Sequence, residues 1–238
     1  MTDADNLYRI WVYLSETPLL WLTTTLLAYA VGDTVSRQLG RHPLANPVMI
    51  SAGVLIAVLG VTGTSYGVYF EGAQFVHFLL GPATVALGLP LWRNRFAVRK
   101  SFLPMMAALL AGSITAIASA VAIAWAFGAP REILASLAAK SVTAPIAMAL
   151  TETIGGIPAL AAVLVVLTGI LGSVIVTPLM NALGIRDYAA RGFAVGMASH
   201  GIGTARAFQV SEEAGVFAGV AMGLNGALTA LVFLLIAL

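Results

Sequence analysis

Long apolar stretches separated by short polar ones run along most of the chain. Each is about as long as the roughly 20 residues that a helix needs to cross the hydrocarbon core of a membrane. The stretches lie near residues 16–38, 46–63, 74–92, 101–127, 158–182 and 214–238. Because a window of about 18 or more apolar residues is typical of a spanning helix, the pattern predicts an all-α polytopic integral membrane protein with about seven to nine hydrophobic helices.

The composition supports a protein of the lipid bilayer. Hydrophobic residues make up 60% of the chain and charged residues 9%, whereas about a quarter of residues are charged in an ordinary soluble domain. The absence of cysteine excludes disulfides, thiolate metal sites and a cysteine nucleophile. The net charge of +2 indicates no nucleic-acid partner, so the basic residues are better interpreted as topology signals.

Basic residues indicate which loops face the cytoplasm. The densest cluster, RNRFAVRK at 93–100, is typical of a cytoplasmic loop. With this cluster inside, Arg37 and Arg41 also fall inside, and the N-terminal segment 1–15 lies outside. We expect a single transmembrane domain over 1–238, with an N-terminal half (16–127) and a C-terminal half (128–238).

The segment LAAKSVTAPIAMALTETIGG, 137–156, decides the topology of the C-terminal half because a lysine and a proline interrupt it. If 132–154 crossed the membrane, Arg186 and Arg191 would lie outside, whereas a segment that dips in and returns leaves both inside. Two half-helices of about 10 residues each reach about 15 Å, the depth of the midplane. The charges therefore favour a re-entrant hairpin with its tip at Lys140–Pro145.

Further interruptions occur elsewhere. The segment AARGFAVGMASHGIGTARAFQV, 189–210, is broken by small and polar residues around His200. A milder kink is predicted at Gly81-Pro82. The similarity of LLGPATVAL, 79–87, to VTAPIAMAL, 142–150, indicates an internal repeat.

The final helix carries Gly215, Gly219 and Gly223, a spacing typical either of a dimer face or of packing within the chain.

Broken helices inside a membrane occur where protein or water surrounds the freed backbone groups. The N-terminus of a half-helix presents unpaired amides and a positive dipole end, which suit a carboxylate or phosphate. Secondary transporters build midplane sites in this way. Thr143 is predicted to cap a half-helix that begins near Ala144-Pro145, and Thr204 one that begins at Ala205.

Each break also has a cation beside it, Lys140 at the first and Arg206 at the second. A buried Lys or Arg costs about 2.5–3.5 kcal/mol on insertion scales, which favours a ligand-facing role. The alternatives are snorkelling to an interface or pairing with Glu152 or Glu212. His200 either carries a coupling proton, because histidine titrates near neutral pH, or hydrogen-bonds a freed carbonyl.

Enzymatic motifs are weak in this chain. The sequence GIGTAR at 201–206 resembles a dinucleotide fingerprint, but an arginine takes its third small position and no βαβ unit surrounds it. The adjacent Ser199 and His200 do not face one another on a helix. No H-E-x-x-H motif occurs. We therefore expect neither an enzyme nor a metal or organic cofactor.

Several motifs are similar to those of the LrgB/CidB family. They are EILASLAAKSVTAPIAMA (132–149), GGIPAL (155–160), ASHGIGTARA (198–207), TGTSYGVYFEG (62–72) and LGPATVALGLPLW (80–92). Two departures stand in the first motif, since the family has proline where this chain has Ala139 and threonine where it has Ala144. The resemblance extends from about Asn46-Pro47 to the C-terminus.

This resemblance implies a multi-pass protein of the bacterial cytoplasmic (inner) membrane, with either of two functions. LrgB-like proteins are named as holin- or antiholin-like modulators of murein hydrolase activity that act with a small LrgA/CidA-type membrane partner. Similar plant chloroplast-envelope proteins export glycolate and exchange it for glycerate, and bacterial members are linked to pyruvate. The family is also distantly similar to inverted-repeat transporters such as bile-acid symporters and cation/proton antiporters.

The residues favour transport. A carrier for small carboxylates needs paired breaks with midplane cations, whereas a holin-like lesion needs amphipathic helices that oligomerise. We therefore expect a homodimeric secondary transporter of small monocarboxylates, driven by H+, Na+ or exchange, with lysis regulation as the alternative. The predicted substrate-binding residues are Lys140, Ser141, Thr143, Pro145, Ser199, His200, Gly201, Gly203, Thr204, Arg206 and Asn46.

Overall fold

The computed structural model describes residues 17–42, 45–79, 82 and 92–237, and it contains helices but no strand within these ranges. The helices of this part are α1 (Pro18–Gln38), α2 (Pro47–Thr62), α3 (Tyr66–Phe78), α4 (Arg95–Lys100), α5 (Phe102–Ala126), α6 (Arg131–Ala138), α7 (Ala144–Thr153), α8 (Pro158–Ala182), α9 (Tyr188–Val210) and α10 (Glu212–Ala237). The predicted all-α fold class is confirmed.

Three of these helices are long and apolar enough to cross a membrane: Phe102–Ala126, Pro158–Ala182 and Glu212–Leu235. They match three predicted stretches to within a few residues. A fourth, α2, is apolar but shorter. The match arises because the apolar runs end where glycine, proline or charged residues end the helices.

The predicted stretch 74–92 has the wrong start, because α3 already begins at Tyr66. Gly63 adopts a left-handed conformation (φ 65°) that ends α2, and only three residues, 63–65, separate α2 from α3. The charged side chain of Glu71 therefore lies inside a helix rather than before one. Most of the proposed repeat at 79–87 and the kink at Gly81 lie outside the described residues.

The chain forms two compact units, Met1–Ala86 and Leu87–Leu238. In the first unit, α3 packs tightly on α1. The contact requires a glycine at Gly72, because the carbonyl of Pro18 lies too close for any side chain there. Trp21 is fully buried there, with its ring 6.0 Å from that of Tyr69. Asp33 forms ion pairs with Arg37 and Arg41 at 3.0 and 3.3 Å.

In the second unit, the loop with Arg186 lies at the same end as the basic segment 93–100. Ser101 and Pro104, at the start of α5, line one cavity of about 360 Å³ together with Asp187 and Ala189, at the start of α9. The prediction that the two basic regions share a side therefore agrees with the arrangement of this unit. Which side faces the cytoplasm stays a prediction.

Candidate functional site

Helices α6 and α7, with the turn between them, form a hairpin that we call hairpin 1 (131–153). The main-chain N–H of Ile157, just beyond α7, donates to the Oγ atom of Ser136 in α6 at 2.8 Å. A straight helix would separate these residues by about 31 Å. Gly156 is required at this contact because a Cβ atom there would lie 3.0 Å from the main-chain nitrogen and Oγ of Ser136. The predicted break is confirmed, and the chain folds back at it.

Thr143 occupies the N-cap position of α7, as predicted, but its side chain makes no capping hydrogen bond. An N-cap oxygen normally accepts from the second or third helical N–H. Pro145 takes the second position and has no N–H, which removes one of these donors. Thr143 is half-buried and Pro145 is exposed.

Helix α9 contains a full reversal at His200, so that it forms a second hairpin, hairpin 2 (188–210). His200 has non-helical angles, φ 42° and ψ −130°. A Cβ on Gly192 would collide with the carbonyl of Ala214, and a Cβ on Gly215 would collide with the ring of Phe208. Residues 192 and 208 would lie about 24 Å apart in a straight helix, yet both contact neighbouring residues of α10. The sequence predicted a break here but not a reversal.

The predicted capping role of Thr204 is wrong. Its Oγ1 atom donates to the carbonyl of His200 at 2.7 Å, the back-bond of a residue one turn inside a helix. The second arm of hairpin 2 therefore begins directly after His200, at Gly201, rather than at Ala205. Gly203, in the same arm, touches Val195 of the first arm so closely that a Cβ atom would lie 2.8 Å from the Val195 carbonyl oxygen.

The tip of hairpin 2 lies against two glycines of α8. The Nε2 atom of His200 lies 2.9 Å from the carbonyl oxygen of Val165. Since a carbonyl only accepts, Nε2 carries the proton of this hydrogen bond. A Cβ on Gly169 would lie 2.8 Å from the His200 ring, and one on Gly172 would collide with the Oγ of Ser199. Ser199 is fully buried, and its hydroxyl has no hydrogen-bond partner among the described residues.

Asn225, in the middle of α10, joins the two hairpins. Its side-chain NH2 donates to the carbonyl of Ser141, at the tip of hairpin 1, at 3.0 Å and to the carbonyl of Met197, beside the tip of hairpin 2, at 3.2 Å. Its Oδ1 accepts from the hydroxyl of Ser113, near the middle of α5, at 2.6 Å. Asn225 is only 2% exposed. The two tips therefore meet near the middle of the long helices.

Lys140 lies at this meeting point. Its side chain is half-buried, and its Nζ donates to the Oγ of Ser141 at 3.1 Å. Among the residues that the structure describes, no carboxylate pairs with Lys140, and Glu152 is exposed. The alternative in which Lys140 pairs with Glu152 or Glu212 is thus not observed in this part of the chain.

Arg206 lies beside a different space of the second unit, and Asn46 belongs to the other compact unit. Arg206 borders a small space that Thr177 and Arg191 also line, and its Nη1 donates to the Oε1 of Gln209 at 3.3 Å. Asn46 belongs to the first compact unit, where its side chain caps α2 by accepting from the N–H of Val48 at 2.9 Å. A role of these two residues in substrate binding stays a prediction.

Two of the three glycines of the final helix face side chains of the same chain. Gly215 packs against Phe208, and a Cβ atom on Gly219 would lie 4.0 Å from the methyl group of Thr204. A Cβ on Gly223 would meet nothing within 4 Å. Packing within the chain, one of the two predicted roles, accounts for the first two glycines, and a dimer face on this helix stays a prediction.

Asn225 and Ser113 were not among the residues predicted from the sequence. The available signal was a lone asparagine in the middle of an otherwise apolar spanning helix, since a polar residue at that depth normally has a partner or a function. Ser113 carried a weaker signal, because serine is common where membrane helices pack closely.

Comparison with known proteins agrees with the motifs. The family model of the LrgB-like family matches residues 25–238. "Holin-like protein CidB" of Staphylococcus epidermidis is 27% identical over 210 residues, which cover 88% of this chain and 91% of that protein. Bacillus subtilis "Uncharacterized protein YwbG" is 34% identical over 208 residues, 87% of this chain and 92% of that protein. No solved structure matches the chain.

These matches span almost the whole described chain, including both hairpins and the long helices that hold them. The identities are modest, but the family model and the two relatives agree with one another. They also agree with the five motifs on which the resemblance was based. The chain is a membrane protein that belongs to the LrgB-like family.

Proposed function

We propose that the chain is a secondary transporter of small monocarboxylates such as glycolate, glycerate or pyruvate. The observation that carries this proposal is the meeting of two helical hairpins at Asn225, with Lys140 at the contact. Hairpin 1 enters the second unit from the end where α8 begins, and hairpin 2 enters from the end where α8 finishes. A site between such hairpins is within reach of both ends of the unit.

The electrostatics of the tips suit an anion. The arms that lead into the tips present carbonyl groups there, and Asn225 binds one carbonyl from each hairpin. The arms that lead out of the tips, α7 and the second arm of hairpin 2, begin at the tips with their N–H ends and positive dipoles. With Lys140 beside them, the tips form an anion site of the kind that secondary transporters build from broken helices.

We assign the binding of the carboxylate to Lys140 and the residues around it. The Lys140 ammonium and the Ser141 hydroxyl are already 3.1 Å apart and both can donate to one carboxylate. The buried hydroxyl of Ser199 is a further candidate, because an unsatisfied buried hydroxyl is costly and is typical of functional sites. Gly203 lets the second arm, which begins at Gly201, approach the first arm closely.

A second candidate is a holin- or antiholin-like modulator of murein hydrolase activity, acting with an LrgA/CidA-type partner. The names of relatives favour it more directly than they favour transport, since two staphylococcal relatives are called holin-like. For either function we propose a multi-pass protein, without catalytic activity or organic cofactor, in the bacterial cytoplasmic membrane as a homodimer. Transport would use H+, Na+ or exchange as its driving force.

Purified protein in proteoliposomes distinguishes the two. Vesicles loaded with one unlabelled acid are diluted into trace radiolabelled glycolate, glycerate or pyruvate, and a self-quenching dye is trapped in a parallel batch. The transport proposal predicts transient accumulation of label while the dye stays inside. Dye release without solute selectivity would support the holin-like function. If the vesicles neither accumulate label above empty controls nor release dye, both functions are contradicted for the chain acting without a partner.

A further inference from the structure

The side chain of Asn225 is the one group among the described residues for which hydrogen bonds to both hairpins are recorded. Its two N–H atoms are each used by a different hairpin, one by the carbonyl of Ser141 and one by the carbonyl of Met197. Its oxygen is used by Ser113. The carboxamide has two donors and one carbonyl acceptor, so each of its three polar positions has a partner from a different element.

These two carbonyls lie at or beside the tips, where each hairpin reverses its direction. Ser141 lies in the non-helical turn 139–143, and Met197 lies three residues before the reversal at His200. A hydrogen bond is stronger in a low-dielectric interior than in water, so a buried donor shared by both tips favours their contact. One side chain supplies both donors. Separating the tips therefore breaks at least one of its bonds.

We propose that Asn225 is the positioning residue that holds the two hairpin tips together, so that opening of the anion site requires it to release Ser141 or Met197. Lys140 precedes Ser141, and the same bond therefore fixes the turn that carries the cation. The tie between the tips follows from the hydrogen bonds alone, whereas its role in opening rests on the proposed transport function. Asn225 acts through the tips and does not itself bind the anion.

The absence of cysteine from the sequence allows a direct test by paired spin labels. The tip pair is Ala149→Cys on α7 with Ala198→Cys on hairpin 2, both at exposed positions. The framework pair is Val163→Cys on α8 with Leu231→Cys on α10, exposed positions outside both hairpins. Distances are measured by pulsed electron resonance in lipid nanodiscs for the otherwise wild-type chain and for each variant below.

Asn225→Asp keeps the shape of the side chain but removes the NH2 group, and Asn225→Ala removes the group entirely. Both are expected to lengthen and broaden the tip-pair distances and to leave the framework pair unchanged. Ser113→Ala is the matched control, because it removes a bond of Asn225 but neither bond to a tip. We expect it to leave the tip pair as in the wild type.

Unchanged tip-pair distances in both Asn225 variants would overturn the proposal. Equal broadening of the framework pair would also overturn it, because Asn225 would then support the fold in general. In proteoliposomes the Asn225 variants are expected to bind the acid roughly five- to tenfold more weakly, the effect of one lost hydrogen bond on an equilibrium, because the turn that carries Lys140 is no longer fixed. If the tips separate but the wild type transports nothing, the proposed function fails and the tie remains.

Discussion

The imidazole of His200 lies directly on Gly169 of α8, at a distance that excludes any larger residue. A Cβ atom on Gly169 would be 2.8 Å from Cε1 and 3.0 Å from Nε2 of the ring. The same ring forms the hydrogen bond to the carbonyl of Val165, one turn earlier in α8. A glycine in one of the long apolar helices thus provides the space in which hairpin 2 turns. Because His200 has φ 42°, this packing also holds a residue in a conformation that non-glycine residues rarely adopt.

Gly169→Ala is expected to displace His200 and destabilise the tip of hairpin 2. Overpacking of this kind costs about 1–3 kcal/mol, and the variant should unfold at a lower temperature in detergent. Gly223→Ala is the matched control, because that position also lies in a long helix but has open space around it. It should be neutral or slightly stabilising, by about 0.5–1 kcal/mol, as expected for Gly to Ala in a helix. Equal unfolding temperatures for the two variants would contradict the contact.

A cysteine pair tests the reversal in α9. Val195→Cys and Ala207→Cys lie in one buried cluster with Ala214, although a straight helix would hold them about 18 Å apart. We expect a disulfide or a short bis-maleimide link to form between them, detected by mass spectrometry after proteolysis. Val163→Cys with Ile175→Cys has the same spacing in the continuous helix α8 and should not link. Failure of the first pair to link would indicate an unbroken α9.

Ser136→Ala is expected to loosen hairpin 1. The substitution leaves the N–H of Ile157 without the acceptor it has at 2.8 Å, and an unsatisfied buried group costs about 1–3 kcal/mol. The expected result is a lower unfolding temperature and faster proteolysis near 154–157. Thr115→Val is the control, since the exposed Thr115 hydroxyl bonds only within its own helix among the recorded contacts. The hairpin would be contradicted if both variants behaved alike.

The variant Arg206→Gln tests whether Arg206 binds the substrate, as was predicted for both Lys140 and Arg206. Since Arg206 borders the space lined by Thr177 and Arg191, away from the contacts at Asn225, the variant should keep its affinity for the acid to within about threefold, a change of less than 1 kcal/mol. Binding is measured by isothermal titration or by the concentration dependence of exchange. A loss as large as that of Lys140 variants would instead place Arg206 in the site, as the sequence analysis expected.

The helices and the first break were predictable because their signals are local. Apolar runs of spanning length mark α5, α8 and α10, and Lys140 with Pro145 marks the turn of hairpin 1. The hairpin itself was inferred from the charge of Arg186 and Arg191. The reversal at His200 was not predictable, because it depends on one residue's dihedral angles and on the space left by Gly169.

The contact between the two hairpin tips could not be predicted from the sequence for a related reason. Asn225 is an evident polar residue in α10, but its partners lie far away along the chain, at Ser113, Ser141 and Met197. Only the fold brings them together. Thr204 shows the reverse case: its type and position were compatible with a cap, yet the second arm begins four residues earlier and places it inside the helix.

The central claim is that a small carboxylate docks between the hairpin tips beside Lys140. The most direct measurement is the affinity for glycolate, glycerate and pyruvate of wild-type protein and of Lys140→Met and Lys140→Arg, with folding checked by unfolding temperature. Loss of a charged hydrogen-bond partner should weaken binding roughly 10- to 150-fold in Lys140→Met, while Lys140→Arg, which keeps the charge, should lose far less. Equal affinity of Lys140→Met and the wild type would contradict the account.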